Sequence, residues 1–143
     1  MELRKNLTRV ASVSRRDRAL LIESLLWVSA SAAIIAVLPF RRAIAFGSIP
    51  LGDARSENEP RLERISWSVS KVASMVPFRA VCFHQGLALQ RMLRRRGTDA
   101  LLHYGLGKAP SEALSAHVWV TVGDRILIGD DPISCYQAVA TFP

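Results

Sequence analysis

Only two cysteines, Cys82 and Cys135, occur in the 143 residues. Two thiols make no disulfide framework. There is no Cys-x-x-Cys pair, and the three histidines, His84, His103 and His117, are scattered, so a structural zinc site is not expected. No secretory signal pattern stands out either, which makes a reducing cytoplasm the expected compartment. Lysine is scarce: three of the 19 basic residues are Lys and the rest are Arg. Arginine favours carboxylate or phosphate partners held by paired hydrogen bonds. The net charge of +7 suits nucleic acid, anionic lipid or an acidic peptide, and does not choose among them. Internal repeats and low-complexity tracts are absent. With 50% hydrophobic and 22% charged residues the chain is no disordered tail, and its length fits one domain with a real core.

Residues 1–13 read as a frayed basic arm. Ser14 then caps a helix, with Asp17 three residues on, where a carboxylate favours the positive end. Ala19 to Leu38 is the most apolar stretch, and about twenty residues would suffice to cross a bilayer. Glu23 interrupts it and Ser24, Ser29 and Ser31 dilute it, so a buried or interfacial helix is the favoured reading. Pro39 stops this helix, Arg41 and Arg42 follow, and Gly47 to Pro60 is the best linker. Leu62, Ile65, Val69, Val72 and Val76 recur at three- and four-residue spacing, predicting a second helix that Pro77 ends. A third begins near Arg79–Cys82 and runs to Arg96, with Leu89, Met92 and Leu93 on its apolar side and Gly97 as its stop. The pattern then turns to strands. Ala100–Tyr104 is a short apolar run and 108–115 a loop. Ala116–Val122 and Arg125–Asp130 flank Gly123-Asp124 as a β-hairpin. Helices followed by an antiparallel sheet make an α+β fold.

A two-residue turn at Gly123-Asp124 pairs Val122 with Arg125. Counted outward, it sets His117 opposite Asp130, about 5 Å apart at Cβ on one face. A carboxylate there fixes the imidazole tautomer and stabilises its charged form. Asp131 would point to the other face. The choice of Asp130 depends on the turn length, and a longer loop would bring Asp124 into question. Cys82 lies at the start of the third helix, where partial positive charge favours the nucleophilic thiolate. Nucleophile, base and orienting acid together form a Cys-His-Asp arrangement, with first-turn N–H groups available to an oxyanion.

The run Pro77-Phe78-Arg79-Ala80-Val81-Cys82-Phe83-His84-Gln85-Gly86, continuing to Gly97, resembles the peptidase proteins of lasso-peptide biosynthesis. Ala116-His117-Val118-Trp119-Val120 followed by a turn and an acid resembles them too, as does the basic, Leu-rich front with Pro39-Phe40-Arg41-Arg42. The resemblance implies a transglutaminase-like, papain-like cysteine protease core in residues 60–143. Residues 1–59 would form a basic arm, apolar helix and linker, the whole making one compact unit. It further implies a cysteine peptidase that removes the leader from a ribosomally made precursor, freeing the core's N-terminus for a separate ATP-using cyclase. Cys82 would be the nucleophile, His117 the general base and then acid, and Asp130 the orienting group. Family members often carry the acid slightly nearer the histidine, and some lack it. No cofactor and no metal are implied. The partners implied are the precursor peptide and a separate leader-recognition protein, because residues 1–59 lack an evident strand-rich recognition domain. The lasso cyclase and a membrane surface are further candidates; nucleic acid is not.

Other residues carry plainer expectations. Cys135 reads as a buried or bystander thiol, His84 as a surface group pointing away from Cys82, and His103 as structural. Trp67 and Trp119 read as core, and Arg94–Arg96 as a solvated helix end. Gln85 is a candidate oxyanion donor. Two alternatives compete: transfer of the acyl group to an amine rather than water, and a non-enzymatic membrane-surface adaptor.

Overall fold

The protein is described by a computed structural model covering residues 13–51, 53, 57–108, 113–129 and 135–143. The basic arm 1–12, Asp130 and Asp131 lie outside the described residues. Among the described residues are four helices: α1 (Arg15–Val37), α2 (Phe40–Gly47), α3 (Glu59–Ala73) and α4 (Cys82–Arg94). Four strands follow: β1 (Ala100–Lys108), β2 (Leu114–Val122), β3 (Arg125–Ile128) and β4 (Tyr136–Phe142). They form one antiparallel sheet in the order β3-β2-β1-β4, so the fold is the expected α+β.

Helix α1 starts as its sequence dictates. The Ser14 hydroxyl accepts from the Asp17 N–H at 3.2 Å, satisfying one free donor of the first turn. One line of α1, Asp17, Leu21, Ser24, Val28 and Ser31, is buried against α3 and α4. Of the three serines that dilute its hydropathy, Ser24 and Ser31 face inward and Ser29 is exposed; Ser24 meets Ser68 of α3 at 2.8 Å. Asp17 is held by Arg64 of α3 and Glu23 by Arg96 beyond α4. Hydropathy and length would allow α1 to cross a membrane, but these partners fix it to the core. Pro39 both ends α1 and caps α2, an element too short to show a period in the sequence.

Leu62, Ile65, Val69 and Val72 of α3 are buried, as their spacing requires. Helix α4 departs from the one-sided expectation: Gly86 to Gln90 and Met92 to Arg94 are all buried, Leu87 included. It is central, with the sheet on one side and α1, α2 and α3 on the others. Ala100 and Leu102 of β1, Val118 and Val120 of β2 and Ile128 of β3 complete the core cluster. Gly86 permits close approach here, because a Cβ on it would lie 2.8 Å from Val118 Cγ1.

Of the Arg94–Arg96 run only Arg95 is exposed as a solvated end would be. Arg94 is 7% exposed; its Nε donates to the Ile49 carbonyl at 2.7 Å and Nη1 to Asp99 at 3.1 Å. Arg95 stacks over Trp27 and Arg96 pairs with Glu23. Trp67 also departs from expectation: it is 42% exposed, with the Arg64 guanidinium over its ring. Trp119, at 6% exposed, is buried as expected.

Strand β1 runs beyond Tyr104 through Gly105 and Gly107, which break the apolar pattern in the sequence. The Trp119 ring packs over the first and the Cys135 backbone over the second. β4 adds a strand past the expected hairpin, and Cys135, just before it, is exposed, which removes the buried reading of that thiol and fits the bystander one.

Candidate active site

Cys82 is the first residue of α4 and is half-buried. Its N-cap, Val81, offers no side-chain acceptor. His84 takes the reciprocal part instead: its Nδ1 accepts the Val81 N–H at 3.1 Å. His84 is thus half-buried and ties down the helix start, which corrects the surface reading. Burial lowers its pKa, which favours the neutral ring whose Nδ1 can accept that N–H. Gln85 donates from Nε2 to the Ala80 carbonyl at 2.9 Å, holding the turn that delivers Cys82. That bond uses one of the two amide hydrogens, and Gln85 lines the cavity beside Cys82. The N–H groups of the first turn have no partner within the helix, so the thiol sits at the positive end of α4.

His117 lies on β2 opposite Gly105. Its ring stacks between Trp119, with centroids 6.1 Å apart, and Tyr136 of β4, at 4.9 Å. Trp119 stacks in turn on His103, whose ring nitrogens meet the Thr121 and Thr141 hydroxyls. The structural expectation for His103 therefore agrees with its setting. Tyr136 is a neighbour of His117 that the sequence reading lacks, because its strand carries no turn signal linking it to the hairpin.

The register around His117 differs from the simple count. Val122 faces Arg125 and Thr121 faces Ile126, as a two-residue turn at Gly123-Asp124 demands. Then Val120 faces Ile128, so a bulge slips the pairing by one residue. The Leu127 carbonyl at the bulge accepts the Ser66 hydroxyl of α3, which satisfies a group that would otherwise be orphaned. Consequently the opposition of His117 to Asp130 does not follow from the hairpin. What meets His117 is the Gly129 carbonyl, which accepts from Nε2 at 2.9 Å. A carbonyl only accepts, so Nε2 is the donor of this bond and carries a hydrogen. Gly129 has a φ of +81°, and this left-handed turn aims its carbonyl at the ring. Asp124 stays in the exposed hairpin turn.

Cys82, Gln85 and His117 line one cavity of about 350 Å3, together with Ser70 of α3 and the segment Leu127–Gly129. Val118 and Val120 belong to the core packed on α4, while His117 and Trp119 alternate to the other side of β2. His117 therefore meets the cavity at the margin of the helix-covered face. Among the described residues no hydrogen bond joins Cys82 to His117. Catalytic contacts are commonly loose without substrate and tighten around it. A larger cavity, about 800 Å3, lies by Arg16, Asp17 and Arg64, remote from any thiol or imidazole, and its acids are already paired.

Comparison with curated proteins and with solved structures found no match. A family model described as Transglutaminase-like superfamily matches residues 25–141, a span that takes in most of α1 and every element after it. By that match over most of its length the chain belongs to the transglutaminase-like superfamily.

Proposed function

We propose that this protein is a cysteine peptidase that removes the leader from a ribosomally made lasso precursor peptide. Transglutaminase-like proteins are generally Cys-His-Asp enzymes. The observation that carries the reading is the cavity shared by Cys82, at the positive end of α4, and His117, whose Nε2 is taken by the Gly129 carbonyl. In this reading the neutral ring, with Nε2 on the carbonyl, would use Nδ1 to take the thiol proton.

In this reading the Cys82 sulfur attacks the scissile carbonyl carbon as His117 Nδ1 takes the thiol proton. The carbonyl electron pair moves onto oxygen, and first-turn N–H groups of α4, Cys82's own included, receive the oxyanion. When the intermediate collapses the C–N bond breaks, and His117 returns the proton to the departing amine. That amine is the new N-terminus of the core peptide. A water, deprotonated by His117, then cleaves the thioester and releases the leader as a carboxylic acid. Asp130, next in the chain after Gly129, would help orient and charge-balance the imidazolium. A separate recognition protein would hold the leader, and a separate ATP-using cyclase would close the freed amine into a ring. An amine in place of water would turn the same acyl-enzyme to transfer, giving a product of different mass.

The test is mass spectrometry of a lasso precursor incubated with this chain and its recognition partner. One defined cut is expected, lost in Cys82→Ala and His117→Ala and reduced less in Asp130→Ala. Intact precursor with the wild-type chain would refute the peptidase reading.

A further inference from the structure

Helix α1 presents a second line of side chains opposite the buried one. Ala19, Ile22, Leu26, Ala33 and Val37 fall three, four or seven residues apart and so share one face. Ile22 is 63% exposed, Leu26 64% and Val37 77%. Beside this line, Leu25 and Ile22 flank an apolar hollow of about 420 Å3 that Val72, Met75 and Val76 close from the end of α3. Soluble proteins rarely leave so continuous an apolar surface without a use for it.

Charge says what covers it. Arg15, Arg16 and Arg18 are exposed at one end of α1, and Arg41 and Arg42 at the other. None of these five side chains is ion-paired or hydrogen-bonded among the described residues. The acids of α1 are turned inward, Asp17 to Arg64 and Glu23 to Arg96. The face is therefore apolar along about 27 Å of helix, from Ala19 to Val37, and cationic at both ends, with no exposed acid on α1 or α2. A second copy packed antiparallel on it would oppose arginines to arginines, and a parallel one would do the same. A uniformly anionic, deformable surface satisfies both ends at once. We infer that α1 docks this protein on an anionic lipid surface, lying in the plane of the interface with Ile22, Leu26 and Val37 among the acyl chains. Spanning is excluded by the Asp17, Glu23 and Ser24 partners, which keep the opposite face of α1 on the core. The cavity of Cys82 is lined from α3, α4 and the β2–β3 region, with no residue of α1.

The experiment is flotation of the full chain with vesicles of phosphatidylcholine alone or with 30 mol% phosphatidylglycerol. Binding is expected only to the anionic vesicles and is expected to fall as salt is raised. Replacing Arg15, Arg16 and Arg18 together by Glu should weaken it at least a hundredfold, from roughly a tenfold loss or somewhat less per arginine removed, with charge reversal adding to it. Leu26→Asp should abolish flotation while leaving the melting temperature close to wild type, since residue 26 touches solvent. A chain that stays soluble with anionic vesicles would overturn the inference. So would equal binding to neutral vesicles, or a stable dimer in light scattering that Leu26→Asp dissolves.

Discussion

Replacing Gly129 by alanine tests whether the carbonyl on His117 matters to catalysis. At a φ of +81° an L residue is strained by about 1–2 kcal/mol. The added Cβ would stand 2.5 Å from the Val118 carbonyl oxygen and 2.9 Å from Trp119 Cβ. Both neighbours are fixed, since Val118 is 2% and Trp119 6% exposed. Relieving that overlap adds about 1–3 kcal/mol, so the fold should lose on the order of 2–5 kcal/mol. At this chain length that is a fall of roughly 10 °C in melting temperature. The peptide at 129 must rotate or withdraw, and His117 then loses its acceptor. A hydrogen bond of this kind is worth about 0.5–1.5 kcal/mol, which corresponds to a drop of up to about tenfold in kcat/KM below the wild-type melting range. Gly123→Ala is the control. Its φ is +58°, yet nothing lies within 4 Å of a Cβ there. That variant should lose about 1 kcal/mol from strain alone and keep full activity. Differential scanning fluorimetry and peptide-cleavage kinetics read both quantities. If Gly129→Ala matched Gly123→Ala in both melting temperature and kcat/KM, the argument from the left-handed turn to the imidazole would fail.

Two further outcomes follow from the same structure. Stability should fall as pH drops from 7.5 through 5.5 to 4. Burial lowers the pKa of His84 and His103, and Arg64 holds Asp17 below its usual value. Burial opposes ionisation of Glu23, but the Arg96 guanidinium outweighs it and lowers that pKa as well. Each group binds its proton more readily in the unfolded chain. The stability it contributes is therefore present above the unfolded pKa, about 6.5 for histidine and 4 for the acids, and is lost as pH falls. Thermal melts across that range check the sign, and a chain that gains stability between pH 7.5 and 5.5 would contradict it. Arg94→Ala should destabilise by about 1–3 kcal/mol, because the half-buried Ile49 carbonyl loses its side-chain donor and the Ala100 carbonyl is left with Gln90 Nε2, whereas Arg95→Ala at an exposed position should cost well under half as much. Urea titration separates the two, and equal losses would sink the distinction.

The elements whose signals are local were legible in the sequence. Ser14 with Asp17, the spacing of Leu62 to Val72, the stop at Gly97 and the turn at Gly123-Asp124 each act within one element, and helix or hairpin formation reads them directly. So was the placing of Cys82 at a helix entrance and of His117 on a strand, which needs only the order of elements and the resemblance. Burial on a particular face was less legible, because it depends on what arrives from elsewhere. Leu87 is buried because α4 is enclosed on all sides, Arg94 because three carbonyl and carboxylate groups converge on it, and Trp67 is exposed because no layer covers that face of α3. The register at His117 was beyond the sequence for the same reason. A bulge costs little by itself and is selected by the Ser66 hydroxyl across from Leu127, a contact 61 residues distant along the chain. The sequence by itself determined the long helices, the hairpin, their order and the chemical identity of the thiol and imidazole, but not the short α2 or the edge strand β4. Only the tertiary structure decided that a backbone carbonyl, turned by a left-handed glycine, meets the ring, since such meetings are set by long-range packing rather than by any residue's own preference.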